Sequence, residues 1–223
     1  MVVERQRPLG KFVNVDVSTL PGIERAKTLG LGSNQLAQVM ASSHFQEISS
    51  LYQNTPLKGR WFSLMRHPVD RAISLFYFLK GLQAWGPEYT NLSLEDYVQS
   101  SFVESNWMIR YLIGKKSGDV GLEELEMAKE ILRTKVLIGL LEDVDTSLNR
   151  FLQYFGWKIA GEDERQCVSR LVQEKKVGQN IHEVVSEQSD VWQALMRINN
   201  WDLKLYDYAR LLFQEQQSLV NPI

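Results

Sequence analysis

The chain has 223 residues, 44% hydrophobic and 23% charged, a size and balance that suit one α/β domain with its own core and exclude a chain too polar to fold. Its 25 Lys and Arg against 27 Asp and Glu leave a net charge of −2, which excludes a general nucleic-acid binder and makes any anion site a local feature. Cys167 is the only cysteine, so an intrachain disulfide and a cysteine-based zinc site are excluded as well. The longest apolar runs, such as VLIGLL at 136–141, are far too short to span a bilayer, and MVVERQRPLGKF at the start lacks the apolar centre of a signal peptide. The chain as written is expected to be soluble.

Taken in order, KFVNVDV (11–17) reads as a strand, and STLPGIERAKTLGLGSN (18–34) as a polar, glycine-containing connection. Within it, TLGLGSN reads as a flexible link. QLAQVMASS (35–43) reads as a second strand entering a turn, and HFQEISSLYQ (44–53) as a short amphipathic helix. Trp61 to Met65 is an apolar run with a single hydroxyl, which fits a strand buried on both faces of a parallel sheet. Pro68 then suits a first helical position, and Asp70 complements the helix dipole. Ala72, Ile73, Phe76 and Leu79 follow at helical spacing, so the stretch reads as strand, tight turn, helix.

Ligands of open α/β sheets bind beyond the carboxyl ends of the strands, and Arg66 stands at that end. A planar, permanently charged guanidinium there suits phosphate or sulfate, or else caps a helix or pairs with a carboxylate.

Further along, SLEDYVQSS (93–101) opens with Ser93 and Asp96 at the spacing of a capping box, with Asp in place of Glu. SNWMIRYLIG (105–114) is a helix stopped by Gly114, and GLEELEMAKEILR (121–133) is a surface helix, acidic early and basic late. KVLIGLL (135–141) is the clearest buried strand, and Glu142, Asp143 and Asp145 lead into a helix over VDTSLNRFLQYFGW (144–157). EKKVGQNIHEVVSEQSD (174–190) is polar, and 191–217 carries one or two amphipathic helices. This alternation predicts a three-layer α/β domain with a mainly parallel sheet flanked by helices.

RHPVDRAISLFYFL (66–79) resembles the 3′-phosphate-binding segment of sulfotransferases that use 3′-phosphoadenosine 5′-phosphosulfate (PAPS), particularly the Golgi-type carbohydrate enzymes related to heparan-sulfate 2-O-sulfotransferase. NWMIRYLIG (106–114), VLIGLLEDVDTSLNRF (136–151) and NNWDLKLYDYARLLF (199–213) resemble later segments of that family in the same order. The resemblance covers roughly 38–215, leaves 1–37 divergent, and implies a single P-loop-NTPase-like sulfotransferase domain over 1–223. It implies that Arg66 and Ser74 hold the 3′-phosphate of PAPS, and that His44, at nearly the family's spacing before that Arg, is the general base. It also implies transfer to a carbohydrate or other hydroxyl, no metal, and a Golgi-luminal setting. His182 is a second candidate for the site, with Asn180, Lys175 and Lys176 as polar or phosphate contacts. The family has Asp where this chain has His67, a position expected to be structural.

The family's phosphosulfate loop, broadly Pro-Lys-x-Gly-[Ser/Thr]-[Ser/Thr], does not occur in the sequence. The expectation is a chain that lacks the N-terminal βα unit, through a late start or through loss. An active sulfotransferase and a non-catalytic relative that keeps the fold are both open at this point. A P-loop nucleotide kinase is disfavoured because Gly-x-x-x-x-Gly-Lys-[Ser/Thr] is not found.

Overall fold

The computed structural model describes the backbone of residues 3–6, 10–55, 58–83, 85–178 and 184–220. The chain forms two compact units, one of Met1–Arg60 with Met108–Val120 and one of Trp61–Trp107 with Gly121–Ile223. In chain order, β1 (Val3–Gln6) and β2 (Gly10–Val13) pair antiparallel, Val3 opposite Val13. The strand expected over 11–17 therefore ends at Val13 and belongs to a two-stranded hairpin of its own.

The segment after it is not a loop. Thr19 caps α1 (Leu20–Thr28), its hydroxyl accepting from the Gly22 N–H at 3.2 Å, and Pro21 sits in the first turn, where its missing N–H is not needed. Past α1, Gly30 takes φ +67° and the Leu31 N–H returns to the Ala26 carbonyl at 2.9 Å. Gly32 lies so near the Leu51 carbonyl that a Cβ there would stand 2.1 Å from the oxygen. TLGLGSN is thus a packed helix stop and not a flexible link. The strand expected over 35–43 does not form: Gln35 takes φ +57°, Leu36 and Val39 stay exposed, and the described residues offer this run no pairing strand. α2 (Phe45–Ser49) follows and tightens into a 3₁₀ turn over Ser50–Tyr52.

β3 (Trp61–Met65) and α3 (Pro68–Leu82) form as the period switch predicts, with Val69, Ala72, Ile73 and Phe76 buried on one helix face, but the strand is not buried on both faces: only Met65 is buried and Leu64 is 44% exposed. Then come α4 (Gly86–Thr90) and α5 (Leu94–Gln99). The Ser93 hydroxyl caps α5, accepting from the Asp96 N–H at 3.0 Å and donating to the Asp96 carboxylate at 2.8 Å. The Asp96 carboxylate is engaged with the Ser93 hydroxyl, whereas further along Glu124 makes the return bond of a capping box, accepting from the Gly121 N–H at 2.9 Å. α6 (Trp107–Ile113) stops at Gly114, φ +75°. The remaining elements are α7 (Leu122–Lys135), β4 (Val136–Leu140), a 3₁₀ turn over Leu141–Asp143, α8 (Val144–Phe155), α9 (Glu162–Gly178), α10 (Asp190–Ile198) and α11 (Asn200–Glu215). α9 covers part of the stretch read above only as polar.

In the second unit β3 and β4 run parallel in strict register, Trp61 opposite Val136 through Met65 opposite Leu140. α7, α8 and α11 pack on β4, α8 also reaches β3, and α10 and α11 pack on α3. The fold is α/β, but this sheet has two strands where a larger one was expected. The outer edge of β4 is completed by side chains instead of a strand. Gln216 accepts from the Ile138 N–H and donates to the Val136 carbonyl, both at 2.8 Å. The Ser147 hydroxyl bonds the Leu140 N–H and carbonyl at 2.8 and 3.0 Å, and Arg150 donates to the Ile138 carbonyl at 3.2 Å. These polar groups satisfy backbone that burial would otherwise leave unmet. Arg150 also lies 3.8 Å over the Phe213 ring, and its burial pulls the guanidinium pKa down.

Asn106 fixes the start of α11 from a distant part of the chain. Its side-chain oxygen accepts from the Trp201 and Asp202 N–H groups at 3.0 and 3.1 Å, while its own N–H donates to Asn199 Oδ1 at 3.1 Å. The backbone is at φ +49°, a conformation Asn tolerates better than most residues.

Candidate functional site

Because β3 and β4 are parallel and in register, Met65 and Leu140 end together. The residues just past those ends, Arg66 and Glu142, line one open cleft of about 390 Å³. α3 contributes Asp70 and Ile73, α10 contributes Trp192, and α11 contributes Tyr206 and Arg210. His67, in the turn between β3 and α3, faces the same space.

The cleft's charges are arranged unequally. The Tyr206 hydroxyl donates to Glu142 Oε1, and burial together with that bond pushes the Tyr206 pKa far up, so the phenol stays a donor. Asp70 Oδ2 stands 3.9 Å from His67 Nδ1. The imidazole lies flat against Trp192, ring centres 5.6 Å apart and planes within 9°, and meets Tyr206 edge-on at 5.7 Å. Both carboxylates are thus turned toward a hydroxyl and an imidazole. Among the described residues, neither Arg66 nor Arg210 has an ion pair or hydrogen bond. Two guanidiniums facing one cleft without a carboxylate partner are poised for an anion, and the N-terminus of α3 adds its dipole on the same side.

The sequence-predicted residues divide. Arg66 lines the cleft as expected. Ser74, half-buried, sits on α3 one turn past Asp70 and does not line it. His44 belongs to the other unit, immediately before α2. It gives that helix no side-chain cap, and its ring lies 6.0 Å from Tyr111. His182 and Asn180, and the side chains of Lys175 and Lys176, lie outside the described residues. His67, read above as structural, faces the cleft, and Glu142, Trp192, Tyr206 and Arg210 were not singled out.

Two signals pointed their way. Glu142 follows the end of a buried strand as Arg66 does, and Tyr206 and Arg210 are one helical turn apart on a common face.

Comparison with protein-family models, with curated proteins and with solved structures gave no match to the chain. Among the described residues no group of three His, Cys, Asp or Glu side chains is placed to hold a metal ion, and no helix is long and apolar enough to cross a membrane.

Proposed function

We propose that this chain is a PAPS-dependent sulfotransferase domain whose cleft takes the 3′-phosphate of the nucleotide and whose reaction moves a sulfuryl group to a hydroxyl, that of a carbohydrate. The observation that carries the reading is Arg66, unpaired among the described residues, sharing with Arg210 a cleft at the carboxyl end of a parallel strand. The finer fold reading, a P-loop-like three-layer domain, rests on the same strand-turn-helix unit and on the parallel pairing of β3 with β4. PAPS, when bound, supplies the activated sulfuryl group. In this account Arg66 pairs with the 3′-phosphate, Ser74, which does not line the cleft, is left without a part in that contact, and His44 is the expected base for the acceptor hydroxyl.

A second reading, a relative that binds the nucleotide without transferring sulfate, is favoured by the charge balance of the cleft. Asp70 and Glu142 offset the formal charge of Arg66 and Arg210, whereas stabilising the 5′-phosphate that leaves as the sulfuryl group departs calls for excess positive charge.

Calorimetry with adenosine 3′,5′-bisphosphate (PAP), the desulfated nucleotide, tests the shared claim. PAP should bind, and Arg66→Ala should weaken it by about 1.5–3 kcal/mol, the scale of a charge-assisted bond. Equal binding by wild type and variant, or none by either, would remove the 3′-phosphate assignment. Transfer of labelled sulfate from PAPS to a carbohydrate separates the two readings. The enzyme reading expects turnover that His44→Ala abolishes while PAP affinity stays; binding without turnover supports the second.

A further inference from the structure

We propose that Arg210 and His67 are two further ligands of the phosphate held by Arg66, making the cleft a three-cation site for a phosphomonoester dianion taken up together with a proton on His67. The inference rests on the 3′-phosphate reading above and adds residues to it.

Arg210 comes from α11, one turn beyond Tyr206, and is close enough to act electrostatically on that hydroxyl. Glu142, the carboxylate that could neutralise it, is held by Tyr206. Arg210 therefore faces the same space as Arg66 with its guanidinium uncommitted among the described residues. A planar fork approaching from another element suits a tetrahedral anion, which offers oxygens in several directions.

His67 is held in place but chemically unfinished. The stack on Trp192 and the edge contact with Tyr206 fix the ring. Its Nδ1 is buried without a hydrogen-bond partner, and the Asp70 carboxylate stands 3.9 Å from it. A neutral imidazole leaves Nδ1 unmet in either tautomer, as a donor with nothing in range or as a bare lone pair. Protonation makes both ring nitrogens donors and adds a positive charge that attracts the Asp70 carboxylate across 3.9 Å. The charged and titratable groups facing His67 are Arg66 from the β3–α3 turn, Asp70 from α3, Glu142 from the turn after β4, and Tyr206 and Arg210 from α11; Trp192 from α10 is uncharged. A dianion arriving beside the ring favours the imidazolium, so binding and proton uptake are coupled.

The test is calorimetry of the full chain with PAP across about pH 6 to 8, the range in which histidines titrate, in two buffers of different ionisation heat. Adenosine 5′-phosphate and inorganic phosphate serve as comparison ligands. Variants are Arg66→Gln, Arg210→Gln, and His67→Phe, which keeps the stack on Trp192; circular dichroism confirms that each is folded. Wild type should take up as much as one proton and lose affinity as pH rises, at most tenfold per pH unit. His67→Phe should abolish that uptake and slope. Arg210→Gln should bind about tenfold more weakly with the slope intact.

If Arg66→Gln loses binding while Arg210→Gln and His67→Phe match wild type in affinity and slope, the three-cation site is wrong and the 3′-phosphate reading stands. If wild type and Arg66→Gln bind PAP alike, that reading itself fails. Inorganic phosphate binding as tightly as PAP would overturn the phosphomonoester assignment.

Discussion

Replacing Gln216 with leucine keeps a side chain of similar volume and removes both hydrogen bonds that close the edge of β4. Ile138 is 0% exposed and Val136 6%, so water cannot take over their N–H and C=O. Each unmet group costs about 1–3 kcal/mol, and burying leucine in place of an amide returns about 1–2 kcal/mol. The net expectation is a loss of about 1–4 kcal/mol, which for a chain of this size lowers Tm by about 2–16 °C. Urea unfolding followed by far-UV circular dichroism should show an earlier midpoint with an unchanged slope. Gln216→Glu refines the test, because its carboxylate still accepts from Ile138 but faces the Val136 carbonyl. Its folded-state pKa should be raised, so the variant should be steadiest at low pH and weaken as pH rises through that value. A Gln216→Leu protein within about 0.5 kcal/mol of wild type would refute the claim that this side chain stands in for a strand.

Asn106→Ala removes the cap of α11 and places alanine at positive φ; a loss of about 2–3 kcal/mol in urea unfolding is expected, and no loss would show that the helix needs no outside cap. Gly139→Ala would set a Cβ 2.5 Å from the Phe151 ring, so a cost of about 1–3 kcal/mol is expected by the same assay, and a neutral result would mean that α8 shifts freely. Burial raises the pKa of Tyr89, Tyr97 and Tyr206. Groups raised in the fold support it below the ordinary tyrosine value of about 10 and lose that support as pH rises toward their folded values, so stability should fall in alkali. Absorbance at 295 nm should then show late-titrating tyrosines that ionise with unfolding; a single step near pH 10 with circular dichroism intact would contradict the burial.

The corner from Trp61 to Leu82 was legible because its signals agree: an apolar run, a proline at the first helical position, an acid in the first turn, then helical spacing. β4 was legible from its unbroken apolar run. The same reading expected a strand over 35–43, since a short, partly apolar run cannot reveal whether a neighbour exists to pair with. It passed over α1, whose cap Thr19 and Pro21 are hidden among glycines that suggest a loop. At the site, Arg66 could be placed from local sequence because it abuts a strand end. Arg210, Tyr206 and Trp192 could not, because which face of α10 or α11 meets the cleft is decided by tertiary packing. That His67 faces the cleft was hidden for a similar reason: only Trp192 and Asp70, brought beside it by the fold, show that its ring is held there with Nδ1 unmet.

Calorimetric titration of PAP against adenosine 5′-phosphate, on wild type and Arg66→Ala, bears most directly on the anion cleft. Wild type should prefer PAP by about tenfold or more, because the added phosphate meets a guanidinium, and Arg66→Ala should erase that preference while leaving the fold intact. Equal affinity of wild type for the two nucleotides, or a preference that survives Arg66→Ala, would contradict it.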